Sequence, residues 1–104
     1  MKKPLAFKMH LNERMKDEYI KRHNEIWPEL RNLLIQSGIS EYHIFLDDAT
    51  NTLFAFQMVG GESGSQDLAE TEIVKKWWAY MKDIMQTNPD NSPVSVELEK
   101  VFSL

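Results

Sequence analysis

The chain has 104 residues, 42% of them hydrophobic and 27% charged, and a net charge of −4 at pH 7. This length fits one domain, residues 1–104, and the absence of cysteine excludes disulfides and thiolate nucleophiles. Scattered charges of both signs argue against a nucleic-acid partner, and the lack of an apolar run of about 18 residues predicts a cytoplasmic protein with no membrane partner.

The first part of the chain has the patterns of a strand and an interrupted helix. Apolar and polar residues alternate over residues 5–11, which predicts a half-buried strand. Apolar residues then recur at helical spacing over residues 13–37, and Gly38 suits the end of that helix. Pro28 has no N–H for the carbonyl of Asn24, so the helix must bend or restart between these two residues.

A β-hairpin and a connector follow the first helix. Residues 42–46 and 53–59 are rich in aromatic and β-branched side chains and flank a turn-like segment at residues 47–51. Three of the four glycines lie in residues 60–65, which we interpret as a flexible linker only.

The last part of the chain predicts one more helix and one more strand. The helix is expected over residues 66–85, and the strand over residues 94–102, after a proline-bounded loop at residues 88–93. The order is therefore β-α-β-β-α-β. This order is typical of the ferredoxin-like α+β fold, in which two helices cover one face of a four-stranded antiparallel sheet.

The predicted third strand is apolar on both of its faces. An exposed apolar face of this size is rare in soluble monomers, so the pattern predicts a homodimer whose sheets pack face to face. Phe54, Phe56 and Met58 are expected to face one way, and Leu53, Ala55 and Val59 the other.

His23 is the strongest candidate for acid–base chemistry. It shares a helical face with Tyr19 and Ile26, so it should point inward. The break before Pro28 leaves carbonyls of this turn partly unpaired, and a helix C-terminus favours the imidazolium, which suits a general acid near neutral pH. The alternative is a core histidine bonded to a carbonyl, with Pro28 starting a second helix.

Aromatic side chains supply candidate ligand contacts. Trp77 and Trp78 lie about 100° apart on the predicted helix, so one of them should sit at the edge of its buried face. Together they can form an apolar wall with N–H donors, which suits a sugar ring, although both can equally be packing residues. Tyr19 and Tyr42 can each orient a substrate hydroxyl or be structural.

Four segments are informative together: DEYIKRHNEIWPEL, SEYHIFLD, KKWWAYMKDIM and TNPDNSPVSVELEKVF. They closely resemble the L-rhamnose mutarotase family, and the resemblance runs over residues 4–102. It implies a cytosolic enzyme of rhamnose catabolism that interconverts the α and β anomers of L-rhamnose. It also implies ferredoxin-like subunits that pair through their sheets as a dimeric α/β barrel.

The resemblance assigns roles to five residues of this chain. It places the proton donor at His23 and the sugar contacts at Tyr19, Tyr42, Trp77 and Trp78. It implies no cofactor and no metal. The connector at residues 60–68 does not match the family pattern. The base at the anomeric hydroxyl is either water or a group of the loop at residues 88–92, which we also consider as a segment that reaches across the dimer.

Other readings are left open by the sequence. His10 and His43 lie on predicted strands without partners at metal-ligand spacing, so a metal site is not expected. The cofactor-independent and haem-degrading monooxygenases share the dimeric α/β-barrel fold, and fold alone does not fix function. A sugar-binding or dimerising module with the same aromatic pocket is the alternative that is not an enzyme.

Overall fold

A four-stranded antiparallel sheet forms the centre of the protein in a computed structural model that describes residues 2–61 and 64–104. Its strand order, β2-β3-β1-β4, confirms the predicted ferredoxin-like α+β fold. None of the helices in these two ranges is long and apolar enough to span a bilayer. The elements in chain order are β1 (Lys3–His10), α1 (Lys16–Asn24), α2 (Pro28–Gln36), β2 (Ile39–Asp47), β3 (Thr52–Val59), a short 3-10 helix (Ser65–Asp67), α3 (Glu72–Met81) and β4 (Ser95–Glu97).

The first predicted helix is divided in two, as the proline indicated. The helix α1 ends at Asn24, and α2 restarts at Pro28, where the missing N–H has no intrahelical partner to lose. Trp27 has φ −63° and ψ 132°, the extended conformation that a following proline favours. Gly38, with φ +96°, follows α2 as predicted, because this left-handed conformation suits glycine.

The second predicted helix is shorter than expected. It begins at Glu72 rather than at residue 66, because Thr71 has an extended backbone with φ −87° and ψ 138°. The Thr71 hydroxyl donates to the carbonyl oxygen of Leu68 at 2.6 Å, which stabilises this turn before α3. Residues 65–67 form a separate 3-10 helix, and the helical spacing of apolar residues in the sequence does not distinguish the two segments.

The last predicted strand is also shorter than expected. Ser95–Glu97 pairs with residues 7–9 of β1, and the N–H of Leu98 donates to the carbonyl oxygen of Ala6 at 2.8 Å. Beyond this bond the chain leaves the sheet, and Val101 and Phe102 are exposed. The expected strand over residues 94–102 is therefore confirmed only at its beginning.

The helices cover only one of the two apolar faces of β3. Leu53, Ala55 and Val59 lie under the helices and are buried. Phe54 is 39% exposed on the opposite face, beside Phe45 of β2, which is 67% exposed. The helix-covered face therefore holds the hydrophobic core, whereas the open face is apolar and accessible.

Candidate active site

A pocket of about 640 Å³ lies among α1, α2, α3 and the helix-covered face of β2. This volume is within the usual range of small-molecule sites. The structure brings together all of the predicted site residues, which line this one pocket: Tyr19, His23, Tyr42, Trp77 and Trp78.

The imidazole of His23 is held on three sides. Its Nδ1 lies 3.0 Å from the carbonyl oxygen of Tyr19, and because a carbonyl can only accept, Nδ1 carries the hydrogen. The ring stacks on the Tyr19 ring at 4.2 Å between centroids and meets Trp77 edge-on at 5.5 Å. In the neutral imidazole, Nε2 therefore keeps a free lone pair for proton transfer.

Burial decides the charge of His23. We expected the helix end to favour the imidazolium, and this expectation is wrong in direction. Burial lowers the pKa of His23 below its ordinary value, and the bond to the Tyr19 carbonyl only partly offsets this effect. Carbonyls of the turn are paired, since Glu25 N–H donates to Lys21 O at 3.1 Å and Ile26 N–H donates to His23 O at 3.2 Å. The neutral form therefore predominates at pH 7.

Two tyrosines that line the pocket keep their hydroxyl hydrogens. Burial raises the pKa of Tyr19 well above its ordinary range, and the neighbouring Tyr42 raises it further. Burial also raises the pKa of Tyr42, partly offset by hydrogen bonds to Ser65 and Gln57. Both groups therefore remain neutral near pH 7 and are available as hydrogen-bond donors and acceptors.

Neither tryptophan lies at an exposed edge of α3, so this part of our expectation was wrong. Trp77 is 9% exposed and Trp78 is 6% exposed. Trp77 is covered by Trp27, which meets it edge-on at 5.1 Å, and by Tyr80, at 5.7 Å between ring centroids. The break between α1 and α2 thus widens the buried face of α3, and both indoles pack in the core while they line the pocket.

Arg22 ties α1 to the end of α3. Its guanidinium donates to Glu18 Oε2 at 2.8 Å and to both carboxylate oxygens of Asp83, at 2.8 and 3.1 Å. It also donates to the carbonyl oxygen of Tyr80 at 2.7 Å. Because Arg22 precedes His23, this set of bonds fixes the position of the imidazole relative to α3.

Sequence reasoning missed two polar residues, Gln57 and Ser65. Gln57 is fully buried, and Ser65, which also lines the pocket, is 7% exposed. Our interpretation of residues 60–65 as a linker only is therefore wrong for Ser65, whose N–H donates to Gln57 Oε1 at 3.1 Å; residues 62–63 lie outside the described residues. The available signal was a glutamine among the inward-facing apolar positions of β3.

The loop at residues 88–93 lies at the mouth of the pocket of its own chain. Asn91 has a left-handed backbone with φ +71°, and both Asn91 and Pro93 line the pocket. The N–H of Asn88 donates to the carbonyl oxygen of Ser92 at 2.7 Å, which closes the loop. This position favours a contribution to the pocket of the same subunit.

The other two histidines lie outside the pocket. His10 and His43 are on the open face of the sheet, and His43 stacks on Phe56 at 6.3 Å between ring centroids. Within residues 2–61 and 64–104, no three His, Cys, Asp or Glu side chains are placed to hold a metal ion.

Comparisons with known proteins identify the family of the chain. The sequence profile of the family described as L-rhamnose mutarotase matches residues 4–104. The L-rhamnose mutarotase of Formosa agariphila is 65% identical over 98 residues, 94% of each chain, and that of Bacteroides thetaiotaomicron is 60% identical over 99 residues, 95% of each chain. The crystal structure of L-rhamnose mutarotase from Formosa agariphila superposes with a TM-score of 0.90, at 61% identity over 98% of each chain. The chain therefore belongs to the L-rhamnose mutarotase family.

Proposed function

We propose that this protein is an L-rhamnose mutarotase, an isomerase that interconverts the α and β anomers of L-rhamnose in cytoplasmic rhamnose catabolism. One observation carries the proposal: a chain of this family places His23, two tyrosines and two tryptophans around a single pocket. The proposed ligand is the sugar alone, with no cofactor.

The proposed reaction moves only protons and one C–O bond. Protonation of the ring oxygen and removal of the proton from the anomeric hydroxyl break the bond between C1 and the ring oxygen. The C1 carbonyl of the open chain then turns over, and the ring oxygen attacks its other face. The same proton transfers in reverse give the second anomer, so neither an oxidant nor a leaving group is needed.

His23 is the proposed proton donor to the ring oxygen. The hydrogen bond from Nδ1 to the Tyr19 carbonyl leaves Nε2 as the nitrogen that exchanges a proton with the sugar. The imidazolium donates at Nε2 during ring opening, and the neutral imidazole takes the proton back during closure. Burial lowers the pKa of His23 from 6.5, which makes the imidazolium a stronger acid and keeps the accepting form abundant.

The aromatic residues are the proposed sugar contacts. Tyr19 and Tyr42 keep their hydroxyl hydrogens at neutral pH because burial raises both pKa values. They can therefore hydrogen-bond to sugar hydroxyls, while Trp77 and Trp78 offer apolar surface to the C–H face of the ring. The base at the anomeric hydroxyl is water or a group near Asn91 at the mouth of the pocket.

We further propose that two chains pair through their open sheet faces. Phe45, Phe54 and Val96 lie on this face and are 67%, 39% and 48% exposed. Covering such a surface removes apolar area from water, which stabilises association. Sedimentation of the wild type should give a dimer, and Phe54→Glu should shift it towards monomer; a monomeric wild type contradicts the proposal.

Exchange NMR on the anomeric protons of equilibrated L-rhamnose tests the activity. The wild type should accelerate exchange, and His23→Ala should lose about 10²–10⁴-fold of that acceleration, the usual contribution of general acid–base catalysis. His43→Ala is the matched control, because His43 lies on the open face of the sheet.

Two results would contradict these assignments. A folded wild type that binds the sugar without accelerating exchange would be a binding module rather than a mutarotase. A folded His23→Ala variant with the wild-type exchange rate would show that another group donates the proton.

A further inference from the structure

Gln57 is a fully buried amide on the sheet side of the pocket. It pairs across the sheet with Leu5 of β1 and Tyr42 of β2, so the three side chains lie next to one another on the helix-covered face. A buried amide costs free energy unless it is hydrogen-bonded, and the other inward-facing positions of β3 are apolar.

Ser65 fixes the orientation of the Gln57 amide. The backbone N–H of Ser65 donates to Gln57 Oε1 at 3.1 Å, and because an N–H can only donate, Oε1 must face it. Gln57 Nε2 then faces Ser65 Oγ and donates to it. Gly64 allows the close approach, since a Cβ there would lie 2.6 Å from Gln57 Oε1.

The same reasoning about donors and acceptors extends to the Tyr42 hydroxyl. Ser65 Oγ accepts from Gln57 and, at 3.3 Å, from Gln66, so its own hydrogen remains to be donated. Tyr42 pairs across the sheet with Gln57 and lines the same pocket as Ser65, and interactions with these two side chains lower the pKa of Tyr42. Because Ser65 Oγ already accepts two hydrogen bonds, the Tyr42 oxygen is the acceptor toward Ser65, and the Tyr42 hydrogen is left for the pocket.

We propose that Gln57 and Ser65 are positioning residues that fix Tyr42 as a hydrogen-bond donor to an oxygen of the bound sugar. This inference rests on the proposed function, since it concerns how the same pocket selects its ligand. A ligand must present an oxygen with a free lone pair to Tyr42. A sugar that lacks an oxygen at this position is disfavoured.

Ser65→Ala is the smallest change that removes the hydrogen bond from Ser65 to Tyr42. It removes the hydroxyl and keeps the backbone N–H that donates to Gln57 Oε1. We expect a loss of about tenfold in kcat/KM, the size of one neutral hydrogen bond at a site. Gln57→Met, which keeps length and removes polarity, should give a similar loss. Wild-type kcat/KM in both folded variants overturns the inference.

Gln57→Glu should make the hydrogen bond from Ser65 to Tyr42 depend on pH. An ionised carboxylate accepts from both the N–H and the hydroxyl of Ser65, so Ser65 no longer donates to Tyr42. The protonated carboxyl can still donate to Ser65 Oγ, as the amide does. The kcat/KM of this variant should therefore fall with rising pH, relative to the wild type, through a titration that the wild type lacks. Parallel pH profiles contradict the inference.

A double-mutant cycle tests whether the pair acts through Tyr42. Once Tyr42→Phe has removed the hydroxyl, adding Ser65→Ala or Gln57→Glu should cost less than about twofold more. Losses that simply multiply would mean that Gln57 and Ser65 act by another route, and would overturn the inference.

A binding measurement separates this inference from the proposed function. L-Rhamnose titrations followed by tryptophan fluorescence report affinity, because Trp77 and Trp78 line the pocket. If the wild type binds the sugar without accelerating exchange, the mutarotase proposal fails, and the inference is judged by weaker binding in Ser65→Ala. Unchanged affinity in that case overturns it, and a wild type that does not bind L-rhamnose overturns both.

Discussion

Two walls of the pocket are built by different physical means. One, the helical wall, is aromatic and continuous with the hydrophobic core; it consists of Tyr19, His23, Trp77 and Trp78. The other, the polar wall, depends on hydrogen bonds; Tyr42 and Ser65 line the pocket, and the buried Gln57 hydrogen-bonds to Ser65. We therefore expect changes in the helical wall to affect folding and ligand binding together, and changes in the polar wall to affect ligand binding more than stability.

Trp77→Ala should have the largest effect, because Trp77 is 9% exposed and packs against His23, Trp27 and Tyr80. Truncating a buried aromatic residue costs about 3–5 kcal/mol of unfolding free energy. Urea unfolding measures this loss, and Tyr80→Ala is the control, since Tyr80 is more exposed and should cost less. A loss of unfolding free energy below about 1 kcal/mol for Trp77→Ala would contradict the assignment of the helical wall to the hydrophobic core.

Gly64→Ala should disturb the polar wall more than the rest of the fold. The added Cβ would lie 2.6 Å from Gln57 Oε1 and 2.9 Å from Leu5 Cδ1, so the amide must move. Such overpacking costs about 1–3 kcal/mol, and we expect sugar binding to weaken as well.

Gly61→Ala is the matched control for this change, because its added Cβ meets no described atom within 4 Å. Unfolding in urea and L-rhamnose titration of both variants give the two effects. Equal behaviour of the two alanine variants would contradict the close packing of Gly64.

Arg22→Lys should weaken the contact between α1 and α3, the two helices that carry the helical wall. Lysine cannot reproduce the forked contact with both oxygens of Asp83, nor at the same time reach the carbonyl oxygen of Tyr80. We expect a loss of about 1–2 kcal/mol in unfolding free energy and a lower kcat, since His23 adjoins Arg22. Lys75→Met, which removes an exposed ion pair with Glu72, is the control and should cost less than about 0.5 kcal/mol. Equal losses would show that the Arg22 contacts do not hold the wall.

The helical wall is the part of the site that the sequence predicts best. Its residues repeat at helical spacing, and Pro28 marks the break that places Trp27 over Trp77. The polar wall was missed because Ser65 reaches Gln57 by a loop contact, which has no periodicity in the sequence. The alternation of the two faces of β3 was predicted correctly, since strand alternation is local, but the sequence did not show which face the helices cover.

Two other predictions, the charge of His23 and the length of β4, failed for physical reasons as well. The charge of His23 was wrongly expected because burial outweighs the effect of a helix end, and burial depends on the whole fold. The strand β4 pairs with β1 over residues 95–97 only, although the apolar alternation continues further along the chain. Pattern predicts which face a residue occupies better than where an element ends.

The smallest predicted effect links the charge of His23 to the stability of the helical wall. The folded protein holds the pKa of His23 below 6.5, so between the folded and unfolded pKa values the unfolded chain binds more protons. The stabilising contribution of the neutral ring is therefore fully present above pH 6.5 and is lost as the pH falls through the lower, folded value. The proposed proton donation by the imidazolium has the opposite preference, because the donor form becomes populated as the pH falls. The difference in urea midpoint between the wild type and His23→Gln should consequently shrink from pH 7.5 to pH 5.5. A difference that stays constant would mean that burial does not lower this pKa, and that the aromatic wall tolerates a charged ring.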